Sequence, residues 1–436
     1  MTLRVKTLGL QRLKVYFLNY LKNQQMVVYV LDTNGNPLMP TSRNRKVRKM
    51  LEQGLCHIVK TTPFTIQLNY ETTDFKQGIT LGVDCGTKHI GISATTEKKE
   101  LLSAEVLLRT DIVELLSTRR ETRRTRRNRL RYRQARFDNR ITRKRKGWLA
   151  PSVENKVNSH MSIIRKLHQI LPITRINLEV GSFDTQKMQD DTIQGIGYQQ
   201  GVQYGFWNVR EYVLARDKHT CQCCKGKPKD SILNVHHIES RKVGGDSPNN
   251  LITLCESCHQ KYHKGLLPKF QPKRGKSLRD SAVMSIFKWR LYNLAKQEFG
   301  NVGMTFGYIT KCNRIHYGLP KSHNMDAYCI ACNFKATHLD YMLKFRQLRK
   351  HNRQIHKYSI LRGGVRKLNQ TPYKVFGYRL FDKVMWNGIE CFIGGRRSSG
   401  SFKLVDIDNQ LVKDGVSYKK LRLVEPKRTF IGSIVK

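Results

Sequence analysis

Four cysteines in the middle of the chain have the spacing of a metal site. Cys221 and Cys224 form one C-x-x-C pair, and Cys255 and Cys258 form a second. Two such pairs can supply four thiolates to a tetrahedral zinc ion. Cys223 remains outside the set, because its place next to Cys224 is unfavourable for shared chelation. We expect a structural Zn²⁺ site in a reducing compartment, for which the cytoplasm is the natural assignment.

Histidines near these pairs could carry out hydrolytic chemistry. His236 and His237 are adjacent, and His259 and His263 have the i, i+4 spacing of one helix face. Imidazoles can hold a divalent ion, and one of them can deprotonate an attacking water. The alternative, a purely structural zinc module, leaves the paired histidines unexplained. A structural role for His263 alone also stays open.

Several carboxylates end apolar strands or open helices. They are Asp84, Glu179 and Asp326, and His323 precedes Asp326 by one helical turn. Phosphodiester cleavage by two Mg²⁺ or Mn²⁺ ions needs carboxylates that converge from separate elements. Taken singly, each acid is explained as well by a turn or a helix cap. Asp184 has at most a supporting role.

A strongly basic segment covers residues 119–146. It contains thirteen arginines, opposed only by Glu121 and Asp138. The helix propensity of arginine and the lack of Gly or Pro before Gly147 predict a helix surrounded by phosphates. A disordered basic tail or a localisation signal is the alternative. The arginines expected to bind nucleic acid are Arg119, Arg120, Arg123, Arg124, Arg126, Arg127, Arg129, Arg131, Arg133, Arg136 and Arg140.

The composition of the whole chain agrees with a polyanionic partner. Its 80 Lys and Arg against 33 Asp and Glu give a net charge of +47, which predicts nucleic-acid binding through counterion release. Ribosomal proteins share this property, so charge alone indicates no activity. No long amphipathic stretch favours a membrane surface, and residues 10–20 are too short and charged to span a bilayer. The length of 436 residues predicts several domains.

Local patterns suggest which elements hold these groups. We predict a strand at MVVYVLD, a helix over residues 42–54, a strand at HIVKTTPFTIQL and a hairpin across Asp84. A helix then leads into the strand before Glu179. Further on, a helix over residues 276–298 precedes a strand at GMTFGYIT and a helix from about His323. Cys329 and Cys332 are expected in the core rather than on a metal.

The Cys/His segment resembles the HNH nuclease family. That resemblance implies that His237 is the general base and that His236 and His259, with His263 as a possible third, hold a metal ion. Asn250 would hold the loop that orients the base. The acids, in their order, resemble the RuvC nuclease fold of the RNase H-like class. This second resemblance makes Asp84, Glu179 and Asp326 metal ligands, with His323 positioning or deprotonating the water.

The whole order of motifs resembles the IscB family, transposon-encoded relatives of type II CRISPR effectors. The sequence PLMP at residues 37–40 matches that family's N-terminal signature. Membership implies a monomeric protein in a ribonucleoprotein with a guide RNA of the ωRNA type, and double-stranded DNA as target. It also implies that the HNH centre cuts the guide-paired strand and the RuvC-like centre the displaced strand, in the prokaryotic cytoplasm at the nucleoid.

The same resemblance implies a multidomain α/β architecture, in which an RNase H-like fold is split by an Arg-rich bridge helix and an inserted ββα HNH domain with zinc. The expected parts are an accessory extension (1–25), a PLMP domain (26–75), RuvC-like parts (76–112, 148–205 and 273–340), the bridge helix (113–147), the HNH domain (206–272) and a small β-rich C-terminal domain (341–436) that contacts RNA or a target-flanking motif.

Two other functions remain open. One is an HNH endonuclease of the homing or restriction type, whose basic surface recognises DNA directly and which would not need the split carboxylates. The other is an RNA-binding scaffold whose nuclease centres are spent. The intact acids and histidines argue against the second alternative.

Overall fold

The structure, a computed structural model, describes residues 26–130, 148–181, 194, 200, 203–226, 230–241, 245–275, 279–331, 333–349 and 372–435. The expected extension 1–25 lies outside the described residues, as do Arg131, Arg133, Arg136, Arg140, Asp184 and Cys332. The chain divides into two compact units, Met1–Gly181 with Ile286–Lys436, and Ser182–Ser285.

The elements before residue 200 are β1 (Tyr29–Leu31), α1 (Asn44–Glu52), β2 (Cys56–Lys60), β3 (Thr65–Leu68), β4 (Thr80–Cys85), β5 (His89–Thr95), β6 (Glu100–Leu107), α2 (Ile112–Leu130), α3 (Pro151–His168) and β7 (Arg175–Val180). The next group is α4 (Val209–Arg216), β8 (Leu233–His237), β9 (Leu251–Cys255), α5 (Glu256–His263) and α6 (Arg279–Phe299). The remainder are β10 (Val302–Phe306), α7 (Gly307–His316), α8 (His323–Ala331), β11 (Met342–Gln347), β12 (Lys383–Trp386), β13 (Ile389–Arg396), β14 (Ser401–Val405), β15 (Leu411–Ser417), β16 (Arg422–Glu425) and β17 (Phe430–Val435).

The first described residues form a small three-stranded sheet in the order β1-β3-β2. The sequence predicted one strand across HIVKTTPFTIQL, but the structure has two antiparallel strands, β2 and β3. Pro63 lies between them and has no N–H to donate to a ladder, so a turn replaces a continuous strand. Val28, Phe64 and Ile66 pack with Leu51 of α1 in the core of this sheet.

A seven-stranded mixed sheet is the centre of the larger unit, in the order β10-β7-β4-β5-β6-β11-β17. Strand β5 runs antiparallel to both β4 and β6, which confirms the predicted hairpin across Asp84. Strand β7 runs parallel to β4 on one side and to β10 on the other. The middle strands are buried along nearly their whole length, which explains their continuous apolar sequences.

The end of β10 differs from the sequence prediction of a strand through GMTFGYIT. Its pairing with β7 stops at Phe306 opposite Val180, the last residue of β7. Without a neighbour to continue the ladder, the chain enters α7 at Gly307. That helix therefore begins beside the carboxyl end of β7.

The tail of the chain was expected to form a separate β-rich domain from residue 341. Its first and last strands, β11 and β17, instead lie in the seven-stranded sheet, with β11 parallel to β6. Between them is a five-stranded antiparallel sheet in the order β15-β14-β13-β12-β16. The β-rich character is thus present, but the proposed boundary at 341 falls just before a strand of the central sheet.

Helix α8 packs directly on β4 and β5 because two glycines leave room for its backbone. A Cβ atom at Gly91 would lie 1.8 Å from the carbonyl oxygen of His323, and one at Gly82 would lie 2.1 Å from that of Ala327. No larger residue fits at either position without moving the helix. Cys329 on the same helix is buried. The close approach of the α8 backbone to Gly82 and Gly91 sets the distance between the helix and the sheet.

The smaller unit contains the hairpin β8-β9, followed without a linker by α5. Helix α4 precedes the hairpin, and the side chain of Asn208 caps it by accepting a hydrogen bond from the Glu211 N–H. Its small core contains Leu254 and the buried cysteines. Among the helices of the described residues, none has the length and apolarity needed to cross a membrane.

Candidate nuclease centres

The carboxylates singled out from the sequence lie on neighbouring elements of the larger unit. Strands β4 and β7 are parallel and adjacent, with Val83 opposite Leu178, so Asp84 and Glu179 follow side by side at the next position. Helix α8 carries His323 and Asp326 and packs on β4 and β5. Three elements that are remote in sequence therefore bring these four residues to one end of the sheet.

Each of the three carboxylates has a cationic partner. Oδ2 of Asp84 lies 2.7 Å from Nδ1 of His323, and Oε1 of Glu179 lies 2.5 Å from Nζ of Lys288. Oδ1 of Asp326 lies 3.0 Å from Nε of Arg314, on α7. We did not predict Lys288 or Arg314 from the sequence, because a basic residue is unremarkable in a chain with 80 of them. The only signal for Lys288 is its place between Phe287 and Trp289.

Electrostatic effects show that the carboxylates are close enough to influence one another. Burial raises the pKa of Asp326, the Asp84 carboxylate raises it further, and Arg314 only partly offsets this. The hydrogen bond to Asp84 raises the pKa of His323. A carboxyl group whose pKa is raised by burial and by a neighbouring carboxylate is typical of functional sites. The oxygen donors of Asp84, Glu179 and Asp326 match the preference of Mg²⁺ and Mn²⁺.

A second histidine–carboxylate pair lies behind His323. The ring of His89 stacks on the ring of His323 with centroids 5.0 Å apart, and its Nδ1 lies 2.5 Å from Oε1 of Glu105. Both new residues lie on strands next to the site, β5 and β6. We did not predict this pair from the sequence, because it depends on the register of β5 and β6. Gly91 lies opposite Glu105, and His89 is two residues before Gly91 on the same strand.

In the smaller unit, three histidines meet between β8 and α5. His236, His259 and His263 each offer a ring nitrogen within 4.8 Å of the others, and the Nε2 atoms of His259 and His263 are 3.2 Å apart. Ligands at about 2.0–2.1 Å around a tetrahedral ion would be about 3.4 Å apart, so the spacing suits a metal site. Burial lowers the pKa of His236 to about 4, and the neighbouring imidazoles add to the effect. The neutral ring is the form that binds metal.

His237 follows His236 on β8 and therefore points to the other side of the strand. Its Nε2 lies 2.9 Å from Oδ1 of Asp246, and Arg241 contacts the other oxygen of that carboxylate at 2.8 Å. Arg241 lowers the pKa of Asp246, and the hydrogen bond to His237 contributes. We did not predict Asp246 from the sequence; its carboxylate holds the Nε2 atom of His237 in place.

Asn250 is fully buried at the base of the same loop. Its side-chain oxygen accepts a hydrogen bond from the N–H of Glu239, and its amide donates to the carbonyls of Glu239 and Gly245. These contacts join the residues on both sides of the loop that carries Asp246. The asparagine therefore sets the path of the backbone after His237.

The four cysteines of the two C-x-x-C pairs lie together, with their sulfur atoms within 4.8 Å of one another. The Sγ atoms of Cys224 and Cys255 are 3.8 Å apart. A tetrahedral zinc ion with Zn–S bonds of about 2.3 Å has S···S edges of about 3.8 Å, so these residues fit that ion. Burial raises the pKa of the Cys258 thiol, and the neighbouring cysteines raise it further.

The basic segment begins as the long helix α2. The side chains of Arg119, Arg120 and Arg123 are exposed on it. The side chains of Arg124, Arg126, Arg127 and Arg129 lie outside the described residues. The described arginines are thus free to approach a phosphate backbone.

Comparison with known proteins identifies two regions. The family model described as "RRXRR protein" matches residues 28–201, and the one described as "HNH endonuclease" matches residues 221–265. The first covers the helix α2, where residues 123–127 have the sequence RRTRR. The chain is thus similar to the RRXRR family in its first half and contains an HNH endonuclease domain with a cysteine cluster.

Individual relatives match only parts of this chain. Anaredoxin from Nostoc sp. (strain PCC 7120 / SAG 25.82 / UTEX 2576) is 35% identical over 65 residues, which are 15% of this chain and 83% of that protein. Streptococcus thermophilus Cas9 in complex with the AGAA PAM matches at 12% identity and a TM-score of 0.30, over 43% of this chain. The complex with the AGGA PAM matches at 14% and 0.32, over 48%. The chain spans only 26% and 30% of those two Cas9 chains.

Proposed function

We propose that the chain is an RNA-guided DNA endonuclease that cuts both strands of guide-matched DNA by metal-dependent hydrolysis. The observation that carries the proposal is the convergence of Asp84, Glu179, His323 and Asp326 in one unit, while another unit holds the histidines of an HNH domain. A directly recognising HNH endonuclease has no need of the first set. Two complete sets of nuclease side chains agree with one cut on each strand.

In the HNH centre, His237 takes the proton of the attacking water. Asp246 accepts a hydrogen bond from the protonated ring and holds its orientation, and Asn250 keeps the loop in place. His236, His259 and His263 would hold a divalent ion, which supplies positive charge to the phosphate as it gains negative charge. This centre would cut the strand paired with the guide.

In the RuvC-like centre, Asp84, Glu179 and Asp326 would hold Mg²⁺ or Mn²⁺ at the scissile phosphate. His323 lies at the open end of α8, where its ring can accept the proton of the attacking water. Gly82 and Gly91 allow α8 to approach the sheet, so that His323 and Asp326 reach the ends of β4 and β7. This centre would cut the displaced strand.

The basic surface supports an RNA partner. A net charge of +47 and the exposed arginines of α2 suit a guide RNA of the ωRNA type and the DNA heteroduplex that it forms. The five-stranded sheet of the tail would contact RNA or a target-flanking motif. The protein would act as a monomer in a ribonucleoprotein in the prokaryotic cytoplasm, on nucleoid DNA, with structural zinc in the HNH domain.

The test is to sequence the RNA that copurifies with the protein and then to change its guide segment. We expect one structured RNA with a variable end, and Mg²⁺-dependent cleavage of plasmid DNA that follows the new guide. Cleavage at a fixed DNA sequence whatever the RNA would instead support a directly recognising HNH endonuclease. Specific RNA binding without cleavage by either centre would support a spent scaffold.

A further inference from the structure

Lys288 is the most deeply buried charge at the RuvC-like centre. Only 2% of its side chain is exposed, against 15% for its partner Glu179. Its Nζ lies 2.5 Å from Oε1 of Glu179. A buried ammonium is stable only when a counterion is held close to it, and its loss would leave the partner's charge uncompensated. The lysine is therefore a fixed part of the centre.

The position of Nζ overlaps the space that a metal ion would use at Glu179. Two-metal centres hold their ions about 3.5–4 Å apart, and Mg²⁺ binds each oxygen at about 2.0–2.1 Å. The ammonium of Lys288, 2.5 Å from Oε1 of Glu179, therefore lies where a cation bound by that oxygen would compete with it. On the other side, the backbone of Gly307 adjoins the same carboxylate, with the position of a Cβ atom 3.5 Å from Oε1.

The charges of the three carboxylates and of the two basic side chains paired with them, Lys288 and Arg314, agree with this. Asp84, Glu179 and Asp326 carry three negative charges, and Lys288 and Arg314 offset two of them. One divalent ion and one phosphodiester group would bring the centre to neutrality while His323 is neutral. A second divalent ion would leave two uncompensated positive charges in a partly buried site, which is unfavourable.

We propose that Lys288 takes the place of the second metal ion in the RuvC-like centre, which then binds a single divalent ion through Asp84 and Asp326. This inference rests on the proposed function and revises one part of it: Glu179 is no longer a metal ligand, and one ion replaces the two expected from the sequence. Glu179 then anchors the lysine beside the metal instead of bridging two ions. Lys288 acts through charge compensation and not through proton transfer.

The experiment counts Mn²⁺ ions in the full-length, zinc-loaded protein. The HNH histidines are removed by the substitutions His236→Ala, His259→Ala and His263→Ala, so that the RuvC-like centre is the site measured. Equilibrium dialysis with electron paramagnetic resonance reports both the number of bound ions and any magnetic coupling between two of them. We expect one uncoupled Mn²⁺ per chain.

Variants at position 288 then test the cause. Lys288→Met should bind a second Mn²⁺ and show the coupled signal, and the Mg²⁺ dependence of displaced-strand cleavage should become steeper. Lys288→Arg retains the charge and should keep one ion. Lys296→Met is the matched control, because Lys296 is exposed on the same helix; it should also keep one ion.

The outcomes separate this inference from the proposed function. Two coupled ions in the protein with Lys288 intact would overturn the role of the lysine and leave the two-centre proposal standing. No Mn²⁺ at all would contradict the RuvC-like centre itself. Because the first measurement uses the native residue at 288, the conclusion does not depend on whether Lys288→Met folds.

Discussion

The Nδ1 atom of His323 lies 2.7 Å from Oδ2 of Asp84, although the two residues are 239 positions apart in the sequence. The contact joins the first residue of α8 to the next-to-last residue of β4. Because the acid raises the pKa of the imidazole, the pair combines a base with a candidate metal ligand. Proton binding at His323 and the charge of Asp84 are therefore coupled at this position.

The first prediction concerns this pair. A histidine with a raised pKa stabilises the fold below its unfolded value of about 6.5, and this contribution is lost as the pH rises through the folded value. Without added divalent ions, His323→Asn should therefore lower the melting temperature more at pH 6 than at pH 9. Thermal unfolding at both pH values measures the difference. An equal loss at both would show that the charged pair contributes nothing.

The second prediction concerns Asp326, whose pKa is raised by burial and by neighbouring carboxylates. Its ionised form is disfavoured in the fold, and this penalty is present above its folded pKa and absent below the unfolded one. In the metal-free protein at pH 7, Asp326→Asn should raise the melting temperature by about 2 °C, as ~1 kcal/mol does in a large domain. The same variant should lose displaced-strand cleavage. A lower melting temperature would mean that the ion pair with Arg314 outweighs the repulsion.

The third prediction concerns the contact between α8 and the sheet. Gly91→Ala places a Cβ atom 1.8 Å from the His323 carbonyl oxygen, so the helix must move. We expect a loss of stability on the order of 3 kcal/mol and loss of displaced-strand cleavage. Gly181→Ala is the control, because a Cβ atom there meets nothing within 4 Å. Urea unfolding of both variants gives the comparison, and similar stabilities would refute the close packing.

The sequence was informative where the chemistry is local. The C-x-x-C pairs, the histidines at i, i+4 and the acids at strand ends led to residues that the structure brings together in three groups. The sequence was not informative about contacts that depend on packing between segments remote in the chain. Lys288 is one of many basic residues, and only the fold buries it against Glu179. Strands β11 and β17 likewise join the central sheet through register across remote segments, which no local pattern encodes.

The fourth prediction concerns the cysteine cluster. Because metal binding and folding are coupled in such sites, Cys258→Ser should remove the bound zinc and reduce paired-strand cleavage at least ~10-fold. Cys223→Ser is a matched control, since Cys223 packs beside the cluster but lies outside the set of four. It should keep both zinc and activity. Zinc content by elemental analysis decides the matter, and zinc retained in Cys258→Ser would exclude this thiol as a ligand.

The central claim is that two independent centres each cut one strand. Its most direct test is strand-resolved cleavage of guide-matched DNA, labelled on both strands, by the ribonucleoprotein of Asp84→Ala and of His237→Ala. We expect Asp84→Ala to cut only the guide-paired strand and His237→Ala to cut only the displaced strand. If either single substitution abolished both cuts while RNA and DNA binding remained intact, one centre would be cutting both strands, and the two-centre proposal would be wrong.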